Sequence, residues 1–133
     1  MIRVTLYMII STIIGLALTS QDVEKQNLEI VKKAVEGINK SLPQSVDKFT
    51  QLVLVKSRGA KLIYYFDVNS SKSDQKMIEY GKKIEPRIKK GICKSSKRFL
   101  KSGIDITYIY KNSSSNKEVL KVEVTSKDCK LIW

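Results

Sequence analysis

Two stretches of this chain carry the residue pattern of paired strands, and they constrain the fold more than any other feature. FTQLVLVKSRGAKLIYYFDV (49–68) holds two β-branched and aromatic runs around the polar connection Lys56-Ser57-Arg58-Gly59, which predicts a hairpin. On its second strand Leu62, Tyr64, Phe66 and Val68 share one face, with Ile63 and Tyr65 on the other. Apolar residues on both faces predict a central strand, or one covered by a helix. IDITYIY (104–110) alternates cleanly, with Ile104, Ile106, Tyr108 and Tyr110 opposed to Asp105 and Thr107. After the polar turn KNSSSNKE, Leu120, Val122 and Val124 face in while Lys121 and Glu123 face out, completing a second hairpin.

Helical spacing fills the rest. Residues 22–41 place Val23, Leu28, Val31, Val35 and Ile38 on one stripe, with Asp22 as the expected cap and Leu42-Pro43 as the stop. A second helical region sets Met77, Ile84, Ile88 and Ile92 on one side, and Pro86 is expected to kink or split it near Glu85. Ser95 or Ser96 could cap a short closing helix holding Phe99 and Leu100, with Gly103 just past its end. The order helix, hairpin, helix, hairpin predicts a single α+β domain over residues 21–133. Its expected architecture is a four-stranded antiparallel sheet with helices packed on one face.

The first twenty residues, MIRVTLYMIISTIIGLALTS, have the order of parts of a secretory signal peptide: one cation, an apolar run, then small residues. A retained anchor is the alternative. The apolar run is short for a membrane span, so no transmembrane segment is expected after cleavage. No cysteine follows the run, and a lipid-modified amino terminus is not expected. The chain is therefore expected in the periplasm or outside the cell. Loss of residues 1–20 removes Arg3 and no acid, which takes the formal charge from +12 to +11. That field favours anionic partners: phospholipid headgroups, cell-wall polymers, lipopolysaccharide phosphates or an acidic protein. Nucleic acid is not an expected partner of an exported chain. The bland alternative is compositional, because only Arg3, Arg58, Arg87 and Arg98 among the 25 cations are arginine, the usual phosphate clamp. An even cysteine count in a short exported chain predicts a disulfide between Cys93 and Cys129. Its loop would contribute about 4 kcal/mol. Two cysteines without histidine do not complete a soft metal site.

The absence of histidine removes Ser-His and Cys-His nucleophile pairs. Asp47, Asp67, Glu79, Asp105 and Asp128 fall at element ends or exposed strand positions, a poor basis for a two-carboxylate mechanism. Gly59, Gly81, Gly91 and Gly103 are isolated and form no phosphate-binding loop. No catalytic residues, cofactor or metal are expected, which leaves a binding protein. QLVLV (51–55) resembles the Gln-x-Val-x-Gly wedge of cystatin-type protease inhibitors, but Val55 replaces Gly and the run reads as a core strand. Tyr64, Tyr65, Tyr108 and Tyr110 could fill a core or line a ligand groove. Asn-Ser-Ser at 69 and 112 and Asn-Lys-Ser at 39 match the glycosylation acceptor pattern.

KKIEPRIKKGICKSSKRFLK (82–101) offers the candidate contacts for an anionic envelope component or acidic protein: Lys82, Lys83, Arg87, Lys89, Lys90, Lys97, Arg98 and Lys101. On a helix Lys83, Arg87 and Lys90 share a face beside Ile84, Ile88 and Ile92. If those isoleucines dock on the sheet, the helix makes electrostatic contact rather than inserting into a membrane. The second reading is a protein-interaction module (inhibitor, immunity factor or secretion accessory) that uses the sheet face or a strand edge.

Leu42-Pro43, Val46-Asp47, the Tyr64-Tyr65 strand, Cys93, Leu100, Gly103, Tyr108, Tyr110 and Asp128-Cys129 together resemble a group of small exported bacterial proteins. In that group a leader precedes a helix, a Leu-Pro and Val-Asp turn, a tyrosine-bearing strand and a cysteine helix. A Gly-led Tyr-x-Tyr strand and a closing Asp-Cys follow. The resemblance spans nearly the whole chain after the leader and implies a shared fold and a Cys–Cys bridge. It implies no activity and no functional residues.

Overall fold

The computed structural model describes residues 19–133, so 1–18 of the expected leader lie outside the described residues. Helix α1 (Ser20–Asn39) begins one turn earlier than the stripe predicts. Thr19 caps it and Asp22 closes a reciprocal capping box, so Asp22 is the third residue of the helix rather than its cap. Val31, Val35 and Ile38 pack into the core, whereas Val23 and Leu28 stay exposed.

Directly after the Leu42–Pro43 peptide lies β1 (Gln44–Ser45), followed by β2 (Thr50–Ser57) and β3 (Lys61–Val68). Helix α2 (Asp74–Ser95) and the short α3 (Lys97–Lys101) precede β4 (Asp105–Asn112) and β5 (Lys117–Val124), and a 3₁₀ turn, Ser126–Cys129, closes the chain. Pro86 lies inside an unbroken α2, not at a split. Gly103, just past α3, has φ of 91°, the left-handed conformation that ends a helix at little cost for glycine.

The sheet has five strands in the order β1-β2-β3-β4-β5. This corrects the expected four-stranded antiparallel sheet on two counts. β1 adds an edge strand, and β3 pairs with β4 in parallel, Tyr64 beside Tyr108 and Phe66 beside Tyr110. The hairpins β2-β3 and β4-β5 are antiparallel as predicted. The parallel seam follows from the length of α2. At about 1.5 Å per residue, its 22 residues return the chain along the full length of β3, so β4 starts at the end where β3 started. That end is called the lower end here, and the end holding the β4-β5 turn the upper end.

Both long helices contact one face of the sheet, α1 over β2 and α2 over β5. Leu52, Val55, Leu62, Phe66, Ile106, Val122 and Val124 form the sheet side of the core, with Ile92, Leu100 and Ile104 above them. Cys93 and Cys129 are fully buried and joined by the predicted disulfide, which ties the lower end of α2 to the C-terminal turn. The free edge of β2 is closed by a side chain. Asn39 Nδ2 donates to the Val55 carbonyl and its Oδ1 accepts from the Val55 amide, both at 2.9 Å, so the carboxamide pairs with the edge as a strand would.

Candidate functional site

Between α2 and the sheet, at the upper end, runs an apolar groove of about 690 Å³. Its floor is Thr50, Val68, Tyr110, Val119 and Leu120, and its helical wall is Met77, Tyr80, Gly81, Ile84 and Ile88. The opposite lip is the β1-β2 connection Val46–Phe49, which Asp47 orders by accepting the Phe49 amide at 2.9 Å. Gly81 sets the height of the wall. A Cβ there would meet Leu120 side-chain carbons at 3.3–3.4 Å, so α2 rests close on β5.

The mouth of the groove is unusually apolar for a surface. Val46, Phe49 and Tyr80 are 58%, 54% and 53% exposed. A lysine lies over each aromatic ring, Lys48 at 5.8 Å from the Phe49 centroid and Lys72 at 5.2 Å from that of Tyr80. Asp47 is the single carboxylate among the lining residues.

Three tyrosines placed by strand alternation continue the floor into the core. Phe66 stacks on Tyr110 with centroids 4.7 Å apart and lies 4.8 Å from Tyr108, which lies 5.1 Å from Tyr64. Burial pushes the Tyr64 hydroxyl up to about 12, with the neighbouring Tyr108 adding to it. Burial raises Tyr110 further, helped by Tyr108 and by Asp47 at the lip. These phenols stay neutral at physiological pH and offer hydrogen bonds without charge. Tyr65 points to the opposite face.

The eight basic candidates do not form one site. Lys83, Arg87 and Lys90 make a stripe on α2, and at 100° per residue Arg87 stands next to Tyr80 and Ile84 at the groove. Lys82 and Lys89 lie on the opposite flank of the helix. Lys97, Arg98 and Lys101 belong to α3 at the lower end. Of the isoleucines beside the stripe, Ile92 is buried and Ile88 packs against the core, while Ile84 is half-exposed at the groove. None of these cations forms an ion pair among the described residues, where the Lys121–Glu123 contact is the one recorded.

The charge is also segregated. Helices α2 and α3 hold ten Lys and Arg against Asp74, Glu79 and Glu85. The outer sheet face balances Lys56, Lys61, Lys111 and Lys121 against Asp67, Asp105, Glu118 and Glu123. A uniform lysine-rich composition would not leave one face neutral. The groove escaped sequence reading because its lip, Val46-Asp47-Lys48-Phe49, has no periodicity. Two exposed apolar residues in a polar connection were the available signal.

Of the glycosylation patterns, Asn39 is occupied by Val55, and Asn112 is buried and donates to Asp74. Only Asn69 is exposed.

No protein-family model matches the chain, and neither does any curated protein sequence. Solved structures do match. A proposed secreted protein of Pseudomonas aeruginosa superposes with a TM-score of 0.71 at 14% identity, covering 86% of this chain and 100% of that one. EpsS, the pilotin of the Vibrio vulnificus type 2 secretion system, gives 0.67 at 14% identity over 84% of this chain and 98% of its own. AspS, a type II secretion system pilotin of Vibrio cholerae, gives 0.60 at 11% identity over 82% and 97%. The likeness is one of fold. Its neighbours, a secreted protein and secretion pilotins, agree with an exported chain and with the resemblance to small exported proteins.

Proposed function

We propose that this chain is an exported, non-catalytic secretion accessory that seats an apolar segment of a partner protein in the groove between α2 and the sheet. The observation that carries the reading is the groove itself, open at the upper end with Val46, Phe49 and Tyr80 exposed at its mouth. Each is about half exposed, so burying the remainder against a partner contributes about 1 kcal/mol per side chain. Likeness of fold to EpsS and AspS supports the secretion context.

Lys48 and Lys72 line the mouth, and helical phase puts Arg87 and Lys83 on the α2 flank beside Tyr80, so the segment that fits best is amphipathic with acidic residues beside its apolar stripe. The anionic partner expected from composition thus becomes an acidic margin on a protein ligand. The neutral outer sheet face is a weaker candidate for the same partner.

A photoreactive residue placed at Phe49 in cells of the source organism tests the reading. The expected result is a crosslink to an envelope component of a secretion apparatus, lost when Tyr80→Glu is added. The same probe at Lys121, on the outer sheet face, should give no such product. Equal products at both positions would sink the reading.

A further inference from the structure

At the lower end, opposite the groove, the topology gathers the start of α1, the end of α2, α3, the β2-β3 turn and the C-terminal residues. We propose that this end is a membrane-docking surface that rests on an anionic phospholipid bilayer. Lys94, Lys97 and Arg98 line a cleft of about 560 Å³ between α1 and α3, with Ile30 and Phe99 on its walls. Lys101 stands 5.4 Å from the Trp133 ring centroid. Lys127 and Lys130 flank the disulfide-bonded Cys129, and Arg58 tips the hairpin. The carboxylates of this end are engaged or recessed: Asp128 accepts from the Thr125 amide at 2.8 Å, Asp22 from Thr19, and Asp105 is half-buried. Asp22 and Asp128 are nonetheless exposed, as are Glu24 and Glu29 on α1.

The apolar residues decide between a bilayer and an acidic protein. Leu131 is 102% exposed, and Ile30 and Val23 on α1 are 42% and 40% exposed. Trp133 is half-buried against the core, held by a 2.7 Å bond from its indole N–H to the Cys93 carbonyl, with Lys101 over its ring. Exposed aliphatic groups and an indole among lysines are the composition of a surface lying in the headgroup layer. Five of the seven cations named are lysines, whose hydrated point charges suit a diffuse field of phosphates better than bidentate recognition. α1 starts at this end, where Asn27 Nδ2 donates to the Ser102 carbonyl at 2.7 Å. The groove then opens away from the bilayer. The inference stands whether or not the groove has the role proposed above.

The test uses residues 19–133, which contain every strand and helix of the core, with vesicles of phosphatidylcholine alone or mixed with phosphatidylglycerol. Binding is expected only to the mixed vesicles. Each cation at an anionic surface contributes about a fivefold gain in partitioning, so the triple variant K97Q/R98Q/K130Q should bind about a hundredfold more weakly. A charge-matched control, K32Q/K33Q/K40Q, should bind within a few-fold of the parent, about the effect of diffuse net charge. Trp133 is the single tryptophan, so brominated acyl chains should quench its emission in the mixed vesicles. Equal losses in the two triple variants, no preference for phosphatidylglycerol, or an unquenched Trp133 would each overturn the proposal. Circular dichroism of both variants confirms that exposed-residue changes leave the fold intact.

Discussion

Single residues here often do what their sequence context hides. Asn39 reads as a glycosylation acceptor in a helix end, yet its carboxamide satisfies both backbone groups of Val55. Asn39→Ala removes both bonds at once and should lower stability by about 1–3 kcal/mol, read as a fall in the urea midpoint at unchanged slope. Asp74 shows the same economy in the upper turn, where its Oδ1 accepts from Asn112 and Ser115 at 2.6 Å each. The Ser115 bond first, and then that of Asn112, holds the Asp74 carboxyl below its ordinary range. A lowered folded pKa means stability that is full above the unfolded value and lost as pH falls through the folded one. Melting temperature should therefore drop on acidification below the ordinary carboxylate range, and Asp74→Asn should flatten that part of the profile. A variant as acid-sensitive as the parent would remove Asp74 from the account. Neither role was legible in the sequence, because each depends on partners 16 to 41 residues away.

At the scale of elements, what was legible is local and what was missed is not. Alternation grouped Tyr64 with Leu62 and Phe66, and Tyr108 with Ile106, without saying which face of β3 meets the core, and spacing placed Val31, Val35 and Ile38 on one stripe that does pack inward. The direction of β4 was missed, although it was implied by a helix long enough to carry the chain back along β3. β1 was missed because two residues, Gln44 and Ser45, carry no pattern. The contact between α2 and β5 rests on Gly81, which sequence reading left as an isolated glycine. Alanine there gains helix propensity of about 1 kcal/mol while asking Leu120 to yield a few tenths of an ångström, so Gly81→Ala should be nearly neutral. Gly81→Val adds β-branched bulk against the same side chain and should cost about 1–3 kcal/mol in urea unfolding. It should also weaken the Phe49 crosslink, since lifting α2 reshapes the groove wall. A Val variant as stable as the parent would mean α2 can move off β5 freely.

The whole molecule is held at two ends by different means. Above, Asp74 ties the β4-β5 turn to the start of α2, and below, the Cys93–Cys129 bridge ties its end to the C-terminal turn. Replacing both cysteines with serine should cost about 4 kcal/mol, given the 36-residue separation. Because Trp133 bonds to the Cys93 carbonyl, the C-terminal residues should loosen first, seen as a red shift of the single indole before global unfolding. The two proposed surfaces sit at opposite ends of the helix that separates them, and charge was the feature that composition could count but not place.

The parallel seam between β3 and β4 also fixes an order in time. A chain that appears amino-terminus first can pair β2 with β3 early, but β3 keeps an open side until all of α2 and α3 has emerged. Cys93 arrives 36 residues ahead of Cys129 and must wait as a free thiol for that whole interval. The late hairpin therefore acts as the latch of assembly, and any factor that guards the early half has to hold on until the last strand arrives.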